Sequence, residues 1–118
     1  MRDYTKIKAF QIADALVLEV YQITKYFPKD EIYGLSSQLR RAVISVCCNI
    51  VEGCYRSSEK EFFRYLEISF ASLKESHYQF ELAYRLGYIE LKSFNACQNK
   101  FEAAEKVLFS LIKGLHNK

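Results

Sequence analysis

Residues 92–115 read KSFNACQNKFEAAEKVLFSLIKGL. Phe94, Cys97, Phe101, Ala104, Leu108, Leu111 and Leu115 recur three and four positions apart. That spacing lines them up on one stripe of an α-helix and would scatter them over both faces of a strand. Lys106 and Lys113 lie in the second half, where positive charge suits the helix dipole.

The same period recurs in three earlier stretches. Residues 8–27 carry Phe10, Ala13, Val17, Val20, Thr24 and Phe27, and Pro28 stops the helix because proline disfavours helical backbone at the residue before it. Residues 35–52 carry Leu35, Leu39, Ala42, Val46 and Asn49, with Val43 and Ile50 alongside and Gly53 as a stop. The third helix opens on a capping box, Ser58 with Glu61, and runs through Phe62, Leu66, Ser69, Leu73, Ser76, Phe80 and Ala83 to Gly87. Only short breaks separate the four segments, so neighbouring helices must run antiparallel. The expected fold is all-α: one domain over residues 1–118, an up-down-up-down four-helix bundle.

Composition agrees. The 118 residues are 50% hydrophobic and 26% charged, with one Pro and four Gly, which leaves little turn punctuation. The opening MRDYTKIKAF mixes charges and does not read as a signal peptide. No run approaches the roughly 20 apolar residues of a membrane span, so a cytoplasmic protein without membrane contact is expected.

The apolar residues exceed what one bundle core uses. Ile44, Cys48 and Val51 flank the second seam; Ile68, Leu82 and Leu86 flank the third. Ile12, Leu16 and Ile23 broaden the first, and Val107 and Phe109 lie outside the fourth. A second buried face, against another copy of the chain or a partner protein, accounts for this excess. Asn49 is the polar member of its seam, and Ser69, Ser76 and Thr24 on facing seams are candidates to bond it. Arg41, Ser45, Asn49 and Glu52 form a polar strip on one flank of the second helix, read as a structural network or subunit contact.

Catalytic patterns are lacking. Cys47, Cys48, Cys54 and Cys97 show no CxxC spacing, and His77 and His116 have no partner at ligand spacing. Reduced, mostly buried thiols are the expectation. Glu75 precedes His77 by two, whereas di-iron bundles need Glu-x-x-His. A Cys54–His77 pair has no support in the spacing, and no glycine-rich phosphate loop is present. No enzyme, cofactor or metal is expected.

The cations are more informative. Arg40 and Arg41 are adjacent, and Arg56, Lys60 and Arg64 cluster near the third helix with Tyr55, Phe63 and Tyr65 interleaved. Such groups contact phosphates, and aromatic rings stack on unpaired bases. Glu59, Glu61 and Glu67 dilute the field, and the net charge is only +3. Repetition around an oligomer would strengthen a weak patch, because each neutralised phosphate adds affinity.

Several short runs carry a family resemblance. They are Leu39-Arg40-Arg41-Ala42, Asn49-Ile50-Val51-Glu52-Gly53, Glu61-Phe62, Tyr65-Leu66, Ala71-Ser72-Leu73-Lys74-Glu75 and Arg85-Leu86-Gly87-Tyr88. Together they resemble the 23S rRNA intervening-sequence protein family, also called the S23-type ribosomal protein family. The resemblance implies a four-helix bundle assembled as a homopentamer, with some members encoded inside intervening sequences of bacterial 23S rRNA genes. A related group resembles accessory proteins of diversity-generating retroelements, basic pentamers that bind nucleic acid and reverse transcriptase; this chain is less basic. No catalytic residues carry over. The expectation is a non-enzymatic homo-oligomer that contacts RNA or DNA through Arg40, Arg41, Arg56, Lys60 and Arg64. The alternative is a protein-interaction scaffold without nucleic-acid affinity.

Overall fold

A computed structural model describes residues 1–117. Four helices account for most of them: α1 (Lys8–Thr24), α2 (Leu35–Cys54), α3 (Glu59–Arg85) and α4 (Leu91–His116). Single 3-10 turns at Tyr4–Lys6 and Lys29–Glu31 precede α1 and α2. Each helix packs on its two neighbours around a square: α1 on α2 and α4, and α3 on α2 and α4. The α2–α3 interface is the most extensive. The bundle measures 44 × 25 × 20 Å. Among the described residues there is no strand, and no helix is long and apolar enough to cross a membrane.

The helix ends follow local chemistry. Ser58 caps α3 by accepting from the Glu61 N–H at 3.1 Å; the reciprocal bond of a capping box, Glu61 carboxylate to Ser58 N–H, is not formed. Gly87, at φ +85°, ends α3 as a Schellman turn, with Tyr88 N–H donating to Ala83 and Gly87 N–H to Tyr84. At α2 the cap position holds Gly34, which has no side chain to offer, and the Glu31 carboxylate accepts from Leu35 N–H instead.

Two predicted ends are corrected. α1 stops at Thr24 rather than Phe27, because N–H groups of Tyr26 and Phe27 bond three residues back and tighten the last turn ahead of Pro28. Gly53 is not a stop. It lies inside α2, buried where that helix meets Phe62 and Tyr65 of α3.

The core runs along four stripes. On α3 it is Phe62, Leu66, Ser69, Leu73, Ser76, Phe80 and Ala83, as the periodicity predicts. On α2 it is Leu39, Ala42, Val43, Val46, Ile50 and Cys54. On α1 the phase is shifted: Ala9, Ala13, Leu16, Val20 and Thr24 are buried, while Phe10 and Val17 are half-buried. Leu16, expected outside the seam, is fully enclosed. On α4 the buried set is Cys97, Phe101, Ala104 and Leu108; Leu111 and Leu115 are only half-covered. The reason is length: α1 has 17 residues against 26 in α4, so the far end of α4 overhangs it. Each fully buried Leu or Phe contributes roughly 1.5–3 kcal/mol.

Candidate nucleic-acid interface

The five predicted phosphate contacts do not form one patch. Arg40 and Arg41 lie near the α1–α2 turn, whereas Arg56, Lys60 and Arg64 lie at the opposite end of α2 and the start of α3. Fourteen residues of helix, about 21 Å at 1.5 Å per residue, separate Arg40 from the end of α2.

At the α2–α3 end the cations are partly neutralised. Arg56 is bonded to Glu52 and to the Tyr65 hydroxyl, both at 2.9 Å, with its guanidinium over the Tyr65 ring. Lys60 and Arg64 are exposed, one turn apart on α3, with no ion-pair partner among the described residues. Arg2 pairs with Glu59 beside them.

The α1–α2 end differs. Arg40 is half-buried; its Nε donates to Thr24 Oγ1 at 2.7 Å, its Nη2 to the Tyr21 carbonyl at 3.3 Å, and its guanidinium covers the Tyr21 ring. It clamps α2 to α1. Arg41, one position on, is turned about 100° around the helix axis and is exposed, with no partner among the described residues. The turn then brings in Lys25 and Lys29, which the sequence reading did not select. With Tyr21, Ser36, Arg40 and Arg41 they border a cleft of about 600 Å³ whose lining contains no carboxylate. The signal was available: a ten-residue connection must place residues 25–29 beside the first turns of α2.

The polar strip is partly a network. Asn49 is half-buried, not a core residue, and its amide donates back to the Ser45 carbonyl at 2.8 Å and to Ser45 Oγ at 3.0 Å. Ser45 in turn meets Ser72 of α3 at 2.9 Å. Ser69, Ser76 and Thr24 do not serve Asn49; they bond the backbone carbonyls of Val46, Leu73 and Val20. Arg41 and Glu52 mark the exposed ends of the strip.

The largest polar feature that the spacing did not reveal is His77. It is 9% exposed, with its ring nitrogens 2.7 Å from Glu105 Oε2 and 2.7 Å from Gln98 Oε1. It stacks on Phe101, and Lys74 reaches Glu105 at 3.3 Å. Its place on α3, one heptad after Phe70, which meets Phe109 of α4, was the available sign. The network ties α3 to α4. Cys54 is about 20 Å from it, since Phe62 beside Gly53 precedes His77 by fifteen residues of helix. Cys54 and Cys97 are buried, but Cys48 is exposed and Cys47 half-buried, so the thiols are less enclosed than expected. Burial pushes Cys47 and Cys97 up to about 12 and raises Cys54, which keeps all three as thiols at neutral pH. Among the described residues no group of three His, Cys, Asp or Glu is placed to hold a metal ion.

The sequence model of the 23S rRNA-intervening sequence proteins matches residues 5–110. No curated protein matches the chain. Among solved structures, a protein of unknown function from the S23 ribosomal protein family of Bacteroides thetaiotaomicron VPI-5482 superposes with a TM-score of 0.80. The match covers 89% of this chain and 95% of that one at 23% identity, and shows a shared fold. With 106 consecutive positions under the family model (110 − 5 + 1), the chain belongs to the 23S rRNA-intervening sequence protein family.

Proposed function

We propose that this protein is a non-enzymatic, cytoplasmic homo-oligomer, a pentamer by family resemblance, that binds RNA or another nucleic acid through its exposed cations. The observation that carries the reading is the carboxylate-free basic border at the α1–α2 end, where Arg41, Lys25 and Lys29 are exposed around the cleft. Lys60 and Arg64 add a second contact at the opposite end of α2, on the first turns of α3. Arg40 and Arg56, held by their own neighbours, position these surfaces more than they offer free charge. Large apolar side chains left exposed, Leu18, Ile68 and Phe109, favour further burial between subunits. An oligomer multiplies each cationic border, and the affinity grows with every phosphate neutralised.

Fluorescence anisotropy with a structured RNA and a DNA duplex across a salt series tests this. Affinity should fall steeply with salt, and Arg41→Ala, Lys60→Ala and Arg64→Ala should each flatten the slope by about one charge. Absence of binding at low salt overturns the nucleic-acid part. A monomer by light scattering at micromolar concentration overturns the oligomer.

The same exposed apolar residues support the second reading, a scaffold that docks partner proteins on them and on the Asn49–Glu52 strip. A stoichiometric protein partner, with no nucleic-acid affinity in the isolated chain, would favour it.

A further inference from the structure

The cleft between the end of α1 and the start of α2 holds more than exposed charge. Four cationic side chains, Lys25, Lys29, Arg40 and Arg41, border it, and no acidic side chain does. Arg41 and Lys29 have no partner among the described residues, and Lys25 makes only a 3.5 Å contact with Gln22. Arg40 is different, since two hydrogen bonds hold its guanidinium rigid. The cleft therefore joins one fixed cation to three adaptable ones.

Ser36 adds a donor that the fold leaves unused. It is 8% exposed and lines the cleft, and its hydroxyl has no hydrogen-bond partner among the described residues. The hydroxyls of Thr24, Ser69 and Ser76, on the other buried Ser and Thr residues, bond backbone carbonyls. The Ser36 oxygen is not itself enclosed, since the enclosed polar atom without a partner among the described residues is Gln79 Oε1, and so it keeps an open face at the cleft. Ser36 and Ser37 also occupy the first turn of a 20-residue helix, where the backbone N–H groups have no helical acceptor and the dipole favours negative charge. Gly34 supplies no side-chain cap, and Glu31 satisfies only Leu35 N–H.

We infer that this cleft binds a phosphate monoester, and specifically a nucleoside 5′-phosphate. A monoester carries close to two negative charges at neutral pH and presents three terminal oxygens. A concave site of cations, a hydroxyl and helix N–H groups answers that form. A phosphodiester is chained on both sides and carries one charge, so it suits the open border better than the cleft floor. The cleft's volume, about 600 Å³, falls in the range of small-molecule sites and leaves room beyond the phosphate. Phe27, Pro28 and Ile32 give that room an apolar wall, which fits a flat base and not a bare sugar. The nucleoside 5′-phosphate has two sources, a free mononucleotide or the 5′ end of a processed RNA. This goes beyond the backbone-binding reading. The two share Arg41, and the experiment separates them.

Titration calorimetry of the full chain, in phosphate-free buffer, would compare adenosine 5′-monophosphate with adenosine. It would also compare one short RNA bearing a 5′-phosphate with the same RNA bearing a 5′-hydroxyl. Adenosine 5′-monophosphate should bind and adenosine should not. Ser36→Ala and Arg41→Ala should each weaken binding by about tenfold, with helical dichroism unchanged. A tenfold preference for the phosphorylated RNA assigns the RNA end as the source; equal RNA affinities with mononucleotide bound assign the free nucleotide. The inference is overturned if the mononucleotide is silent and the two RNAs bind alike, or if both variants bind the mononucleotide as the parent does. If neither RNA binds but the mononucleotide does, the nucleic-acid reading falls and this one stands.

Discussion

The hydroxyl of Ser69 donates a 2.7 Å hydrogen bond to the backbone carbonyl oxygen of Val46, from the middle of α3 into the middle of α2. Both residues are fully buried. A serine small enough to let the helix backbones approach, and polar enough to bond across, helps explain why α2–α3 is the most extensive interface of the bundle. Ser69→Ala removes the bond while the Val46 carbonyl keeps its helical partner. We expect a loss of about 1 kcal/mol. Ser69→Leu should cost more, because overpacking a closed interface costs roughly 1–3 kcal/mol. Urea denaturation of both variants checks the order.

Two glycines should respond in opposite directions to alanine. At Gly53 a Cβ would stand 2.9 Å from Tyr65 Cβ and 3.2 Å from the Phe62 ring. Neither neighbour is a free side-chain end, so the helices must part. At Gly114 nothing lies within 4 Å of the added atom. Gly114→Ala should stabilise by up to about 1 kcal/mol through helix propensity alone. Gly53→Ala should destabilise in spite of the same propensity gain. Thermal melting of the pair decides it, and a higher melting temperature for Gly53→Ala would contradict the close approach.

Thiol chemistry should follow burial. Cys48 is exposed, whereas Cys54 and Cys97 are fully enclosed and Cys47 is half-buried with its thiol pushed up to about 12. A disulfide-exchange reagent at neutral pH should titrate Cys48 first. Cys54 and Cys97 should react only as the chain unfolds, and Cys48→Ser should remove the fast phase. Fast reaction at Cys97 would show that the α1–α4 side of the core opens readily.

The Glu31 carboxyl is held below its ordinary value of 4.5, first by the Leu35 N–H and then by the Tyr88 hydroxyl. The sign follows from linkage. A carboxyl depressed in the folded state stabilises above 4.5 and loses that contribution as pH falls through the folded value. Tyr88, bonded to Glu31 at 2.8 Å, is raised above 10, so its contribution is present below 10 and fades as pH climbs through the raised value. We expect Glu31→Gln to flatten the acid limb of stability below pH 4.5. It should flatten the alkaline limb as well, since Tyr88 would lose the anionic partner that raises it. Denaturant midpoints measured from pH 3 to pH 7 and near pH 10.5 check both limbs.

The parts of the fold legible in the chain were those where apolar residues occupy a narrow stripe. On α3 the seam alternates cleanly with charged neighbours, and Phe62 to Ala83 are buried where the period placed them. On α1 nearly every face carries an apolar residue, so the period is clear but its phase is not. Leu16 is enclosed and Phe10 half-buried, the reverse of what the spacing predicts. Gly53 shows the same ambiguity in another form. A glycine near a helix end serves equally as a stop or as a close crossing, and only the position of Phe62 and Tyr65 decides between them.

The candidate site divides in the same way. Arg40 and Arg41 are adjacent in the chain and look equivalent, yet one is spent on Thr24 and Tyr21 and the other is exposed, with no partner among the described residues. His77 has no ligand-spaced partner in sequence, yet Glu105 and Gln98 close on it from α4.

From the residues alone came the helices, their number, their antiparallel order and the absence of a familiar catalytic pattern, because each of these rests on spacing within a few turns of backbone. Which cations share a surface, which are already paired, and that Ser36 lines a cleft bordered by cations and no carboxylate were decided only by folding. Those relationships join side chains from different helices, and no local period carries the rotation and offset at which two helices meet.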